Sequence, residues 1–209
     1  MILWIEEEIQ NHQRGEGDMS LSDKQQKIKE CFPILSKIKD PALRDKVVQC
    51  WVRMWEESAW KDVKDCPFTP PFPDISLVDH INCVGDMVLA TADILEKHNK
   101  EIKLDRDYLI TGILLHDLSK LLEIEPAPEG YRWGKLLKLM PHATYGAMVA
   151  VAEGLSPRVA NIILSHSRWT GTSPASPEAV LLHYMDYGLA DVLRSCRELP
   201  LIVTGAAKP

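Results

Sequence analysis

An all-α fold is expected for this chain on three observations. Apolar residues recur at helical spacing along most of its 209 residues. Capping residues followed by proline stand where such runs begin, at Asp40-Pro41, Ser156-Pro157 and Ser176-Pro177. Strand-like alternation never persists beyond a few residues. A helical bundle satisfies all three.

Residues 1–23 read as an N-terminal extension: a short helix, then the loop Arg14-Gly15-Glu16-Gly17-Asp18. Ser22 or Asp23 caps a helix to about Ile38. Asp40-Pro41 opens the next, with Leu43, Val47, Cys50, Trp51, Met54 and Trp55 on one face. Trp51, Trp55 and Trp60 read as a bulky core stripe rather than a ligand cage. Four prolines in residues 67–73 exclude helix and give an extended strap into the core. Further helices are expected near 74–98, 105–122 with Asp105 as cap, 135–153, 156–167 and 176–197. No repeat or low-complexity tract interrupts them.

A hydrophobic content of 45% supports a sizeable core. The net charge of −6 argues against a broad basic surface for extended nucleic acid. Local cations or a metal can still attract an anion. The five cysteines are widely spaced and form no CxxC pair, which suggests reduced thiols and a cytoplasmic location. The apolar start Ile2-Leu3-Trp4-Ile5 is too short for a signal peptide. No segment approaches 18 uninterrupted apolar residues, so no membrane span is expected.

The chemistry centres on His116-Asp117, which closes the apolar run Leu109–Leu115. Of seven histidines, His12 and His98 have polar surroundings, while His80, His116, His142, His166 and His183 lie in apolar helices. One such histidine reads as a hydrogen-bonded core residue; several beside an aspartate read as metal ligands. Asp186, between Met185 and Tyr187, should not be buried unless paired or metal-bound. His183 either orients Asp186 or replaces it as a ligand, and Asp191 reads as a capping group. His116 and Asp117 would project about 100° apart and meet a metal from the side of their helix. Lys120 falls on the same face one turn on, either to hold a phosphate or as an exposed helix-end cation.

Six ligands suit two metals: His80, His116, Asp117 and Asp186 at one, with Asp117 bridging to His142 and His166 at the other. This all-nitrogen-and-oxygen set favours Fe, Mn, Ni, Co or Mg over a structural zinc. Metals roughly 3.5–4 Å apart would share a hydroxide and stabilise in-line attack on phosphorus.

The order His80…His116-Asp117…His142…His166…Asp186 resembles the HD superfamily of metal-dependent phosphohydrolases. His116-Asp117-Leu118-Ser119-Lys120 looks like the HDxxK block of that superfamily, which includes the HD-GYP phosphodiesterases. A closer resemblance is to the HD half of YhaM-type 3′→5′ exoribonucleases. It rests on Gly134-Lys135-Leu136-Leu137, His142 with Gly146, Leu164-Ser165-His166, Ser173-Pro174, Pro177-Glu178-Ala179, and Leu182-His183 with Asp186. It covers residues 30–197 or so and is strongest over 109–191. The resemblance implies an HD-domain helical bundle over residues 24–209, with the metal-binding core at about 74–197.

Two departures redirect the expected substrate. No stretch reads as the OB domain that precedes the HD half in that family, and His166-Ser167-Arg168 replaces its His-His-Gly. Processive RNA degradation is therefore not expected. A small anionic phosphoester, a nucleotide or cyclic nucleotide, is. Asp117 and Lys120 would be catalytic, and Lys120 and Arg168 would bind the phosphate. A di-iron oxygenase of HD type and a non-catalytic nucleotide-binding domain are the competing expectations. Homo-oligomerisation stays open.

Overall fold

Local sequence sets most helix boundaries in this computed structural model, which describes residues 19–205. The expected N-terminal helix lies outside the described residues. Helix α1 (Leu21–Cys31) starts at Ser20, whose Oγ accepts from the Asp23 N–H at 3.2 Å. It does not run on to Ile38. Pro33 lacks an N–H and disfavours a helical Phe32, so the chain passes into a 3-10 turn over Pro33–Lys37. Asp40 caps α2 (Pro41–Glu57) by accepting from the N–H groups of Ala42 and Leu43.

The proline-rich strap is extended, as expected, but it doubles back on itself. Strands β1 (Pro67–Thr69) and β2 (Phe72–Ser76) pair antiparallel around Pro70-Pro71. Ser76 then caps α3 (Leu77–His98), which therefore starts later than residue 74. The single helix expected over 105–122 is split into α4 (Arg106–Leu115) and α5 (Lys120–Glu123). A second hairpin, β3 (Ile124–Ala127) with β4 (Gly130–Trp133), follows. Its strands are too short to show alternation in sequence. Pro141 divides the helix expected over 135–153 into α6 (Leu136–Leu139) and α7 (His142–Ala152). The last two, α8 (Pro157–His166) and α9 (Pro177–Cys196), begin at the anticipated prolines.

Helix α4 occupies the centre of the bundle and touches α2, α3, α8 and α9. Every residue from Leu109 to Leu115 is buried, as befits a helix apolar on all sides. The tryptophan stripe is core. The indole N–H groups of Trp51, Trp55 and Trp60 donate to the carbonyls of Leu114, Trp60 and Ile124 at 2.8–2.9 Å. No helix among the described residues is long and apolar enough to cross a membrane.

Helices α4 and α8 approach most closely at Gly112, where an added Cβ would sit 2.4 Å from Ile162 Cγ2. Gly112→Ala should overpack this contact and cost about 1–3 kcal/mol of stability. Urea unfolding of the variant, with helix content checked by circular dichroism, measures that loss.

Candidate metal centre

Five separate elements deliver the six expected ligands to one place. His80 comes from α3, and His116 with Asp117 from the end of α4. His142 opens α7, His166 closes α8, and Asp186 sits midway along α9. Helix α4 stops at Leu115, so His116 and Asp117 do not act from the side of a helix as anticipated. Instead the chain turns there, with the Lys120 N–H bonded to the Asp117 carbonyl at 3.0 Å. That turn frees both side chains to enter the same space.

Asp117 divides the cluster between its two oxygens. Oδ2 lies 3.3 Å from His80 Nε2 and 3.5 Å from His116 Nε2. Asp186 Oδ1 closes that group at 3.1 Å and 3.8 Å from the same two nitrogens. Oδ1 of Asp117 faces the other way, 3.1 Å from His142 Nε2 and 3.5 Å from His166 Nε2. Donor atoms within each group lie within 4.8 Å of one another, close enough to hold an ion.

Backbone carbonyls fix the histidine tautomers. A carbonyl only accepts, so the 2.8 Å contact of His116 Nδ1 with Ile113 O places the proton on Nδ1. His166 Nδ1 donates to Ile163 O in the same way, at 2.6 Å. Both histidines lie at helix C-termini, where carbonyls lack intrahelical partners. Their Nε2 lone pairs therefore point into the cluster. His116 Nε2 and His80 Nε2 are buried without a hydrogen bond, the condition a divalent cation would satisfy.

Glu123 completes the site and escaped the sequence reading. Its Oε2 lies 2.9 Å from His142 Nδ1 and turns Nε2 toward Asp117 and His166. The two Nε2 atoms are 3.3 Å apart. Two lone pairs and a carboxylate oxygen so close repel unless a proton or a metal lies between them. Burial works against charge on His142, yet Glu123 and Asp117 raise it to about 9. At His116 burial outweighs the attraction of Asp117 and Asp186 and drops it to about 4. Burial opposes the charge on Asp117 too, but Lys120 and His116 hold its carboxyl well below the usual range.

Lys120 is buried rather than an exposed helix end. Its Nζ lies 3.5 Å from Asp117 Oδ2, donates to the Phe68 carbonyl at 3.1 Å, and keeps a third N–H for another acceptor. Arg168 is different. The turn after α8 directs its guanidinium to the Ile202 carbonyl at 3.0 Å and onto the Trp169 ring, outside the cavity wall. His183 also stays out of the cluster, with Nδ1 2.9 Å from the His166 carbonyl. Asp191 accepts from the N–H groups of Ile202 and Val203 and pins the C-terminal segment.

A cavity of about 320 Å³ opens onto the cluster. Asp117, Lys120, Glu123, His142, His166 and Asp186 reach its wall, whereas His80 and His116 lie behind it. The His142–His166 group is therefore the accessible one.

The HD domain family model matches residues 86–191, half of the chain. The chain belongs to the HD domain family. The matched span includes five of the six expected ligands, and His80 lies just before it. The chain is also 30% identical over 111 residues to a dihydroneopterin 2′,3′-cyclic phosphate phosphodiesterase of Methanocaldococcus jannaschii. That alignment covers 53% of this chain and 44% of the relative, so the chain spans about half the length of the protein it matches. Neither match singles out the YhaM-type subgroup. No solved structure matches the chain.

Two outcomes are expected for metal binding. Glu123→Gln should weaken it by about 10- to 100-fold at the exposed group, by analogy with other carboxylates that orient metal-bound histidines. Titration with Mn²⁺ followed by elemental analysis measures this. His142 is protonated at neutral pH in the metal-free protein, so an incoming ion must displace that proton. Affinity should rise about tenfold per pH unit from 7 to 9 and fall as the pH drops. Parallel titrations at pH 7 and 8 provide the check.

Proposed function

We propose that this chain is a metal-dependent phosphohydrolase acting on a small phosphoester, of nucleotide or cyclic-nucleotide size. The placement of Asp117 carries the reading: one carboxylate serves two ligand groups, and one group opens to a cavity with a buried lysine in its wall. His80, His116, Asp117 and Asp186 would hold one divalent ion; Asp117, His142 and His166 would hold a second. Fe, Mn, Ni, Co and Mg all suit these ligands. Bound there, such ions would neutralise phosphoryl charge and lower the pKa of a water.

The remaining roles belong to the chain itself. Lys120 binds a phosphate oxygen through its third N–H. Asp117 and Glu123 keep it charged although it is buried. Glu123 holds His142 in register. The apolar shell around the cluster keeps bulk water out and strengthens each of these contacts. A cavity of about 320 Å³ admits one small molecule, which favours a free phosphoester over a nucleic-acid chain. The relative that hydrolyses a cyclic phosphate supports the same reaction class. The same ligands would serve a di-iron oxygenase; oxygen uptake by the iron-loaded protein would mark that chemistry.

Mn²⁺-loaded protein should hydrolyse bis-p-nitrophenyl phosphate. Asp117→Ala should lower the rate by more than about 100-fold, beyond the effect of a residue that only orients a ligand, while far-UV circular dichroism stays the same. Activity that survives Asp117→Ala would overturn the mechanism.

A further inference from the structure

Building on the phosphoester reading, we infer that the cavity selects a planar ring by stacking it on Trp133 and Trp169, without reading the groups along the ring's edge. The phosphate end of the cavity is ionic, with Asp117 and Lys120. Much of the remaining wall is aromatic: Phe68, Phe72, Trp133, Trp169 and Tyr187.

Three of those rings are already engaged. Phe68 stacks on His80 with centroids 3.6 Å apart, and Lys120 Nζ lies 4.4 Å from its ring. Phe72 carries the Arg197 guanidinium at 4.6 Å. Tyr187 stacks on His183 at 4.6 Å. The two indoles differ. Trp133 packs in part against the main core but stacks on no ring or guanidinium among the described residues, and there Trp169 carries only the Arg168 guanidinium, at 4.4 Å. Trp169 is 38% exposed.

Both indoles are tethered beside the cluster. Trp133 pairs across the hairpin with Ile124, the residue after Glu123. Trp169 follows His166 by three residues. Their distance from the phosphate end is thus fixed by short lengths of chain.

Three polar side chains of the wall have other partners: Glu123 faces His142, the Tyr187 hydroxyl accepts from the Arg168 N–H at 3.0 Å, and Arg194 donates to the Pro200 carbonyl, which leaves the short hydroxyls of Thr69 and Ser167. Reading a ring's edge needs several convergent groups that would be left unpaired by a wrong ring. Stacking needs only a π-face, which every base has.

The test is calorimetric binding to the Mn²⁺-loaded protein. Its ligands are the non-hydrolysable 5′-methylenephosphonates of adenosine and uridine, and the same sugar phosphonate without a base. Both nucleoside analogues should bind within about threefold of each other, and roughly 5- to 150-fold tighter than the base-free one. Trp169→Ala should collapse that ratio, and Trp169→Phe should restore part of it. Trp133→Ala should act in the same direction, with thermal melting to confirm that it folds. Equal binding of ringed and base-free ligands, or a more than tenfold preference between the two bases, overturns the inference and leaves phosphoester hydrolysis standing. Failure of every phosphonate to bind overturns both.

Discussion

A buried carboxylate that stays ionised is costly unless its surroundings return the energy that water supplied. Asp117 is such a group, and much of the architecture can be understood as its compensation. Lys120 stands 3.5 Å from one oxygen, and four imidazoles are shared between the two. Lys120 would stay within one turn of Asp117 on a continuous helix, but the chain leaves the helix after Leu115 and turns Asp117 in among the imidazoles of three other helices. The turn at 116–119 is therefore the local event on which the cluster depends. Ser119 secures it by donating through its hydroxyl to the His142 carbonyl.

That turn is held from several sides. Helix α4 is buried all round and cannot shift without disturbing four neighbours. Gly146 lets α7 come close, since a Cβ there would lie 3.2 Å from Ser119 Oγ. The β1–β2 hairpin lays Phe68 across His80 and offers its carbonyl to Lys120. A satellite apolar cluster of Phe68, Phe72 and Ala190 ties the hairpin to α9. The same hairpin thus stiffens one candidate ligand and accepts a hydrogen bond from the nearby cation.

The histidines are oriented by two devices. Helix ends provide one, because His116 and His166 reach back to carbonyls three residues earlier. Glu123 provides the other for His142, where Pro141 precedes the ring at the start of a helix and no such carbonyl is in reach. At His116 burial keeps the imidazole neutral, whereas Glu123 lifts the basicity of His142 beside the cavity.

Helix identity and several caps were legible in the sequence because each rests on contacts within four residues, whereas the breaks at Pro33 and Pro141 were read through as continuous helix. Asp40, Ser76, Asp105 and Ser176 cap as their side chains dictate, though the choice of Ser76 over residue 74 awaited the hairpin. The candidate ligands were legible for a related reason: polar groups inside apolar runs are too costly to bury without a partner. Glu123 was not, since it looks like an ordinary charged residue at the end of a short helix. Its burial depends on His142, nineteen positions away. The direction of Arg168 was not legible either, because a cation beside a candidate ligand says nothing of where its long side chain turns. By itself the sequence determined an all-α chain of the HD family type, with its polar residues marked. Only the tertiary structure decided which oxygen faces which histidine, and which indoles line the cavity. Those pairings are set by packing between distant segments, to which local propensity is blind.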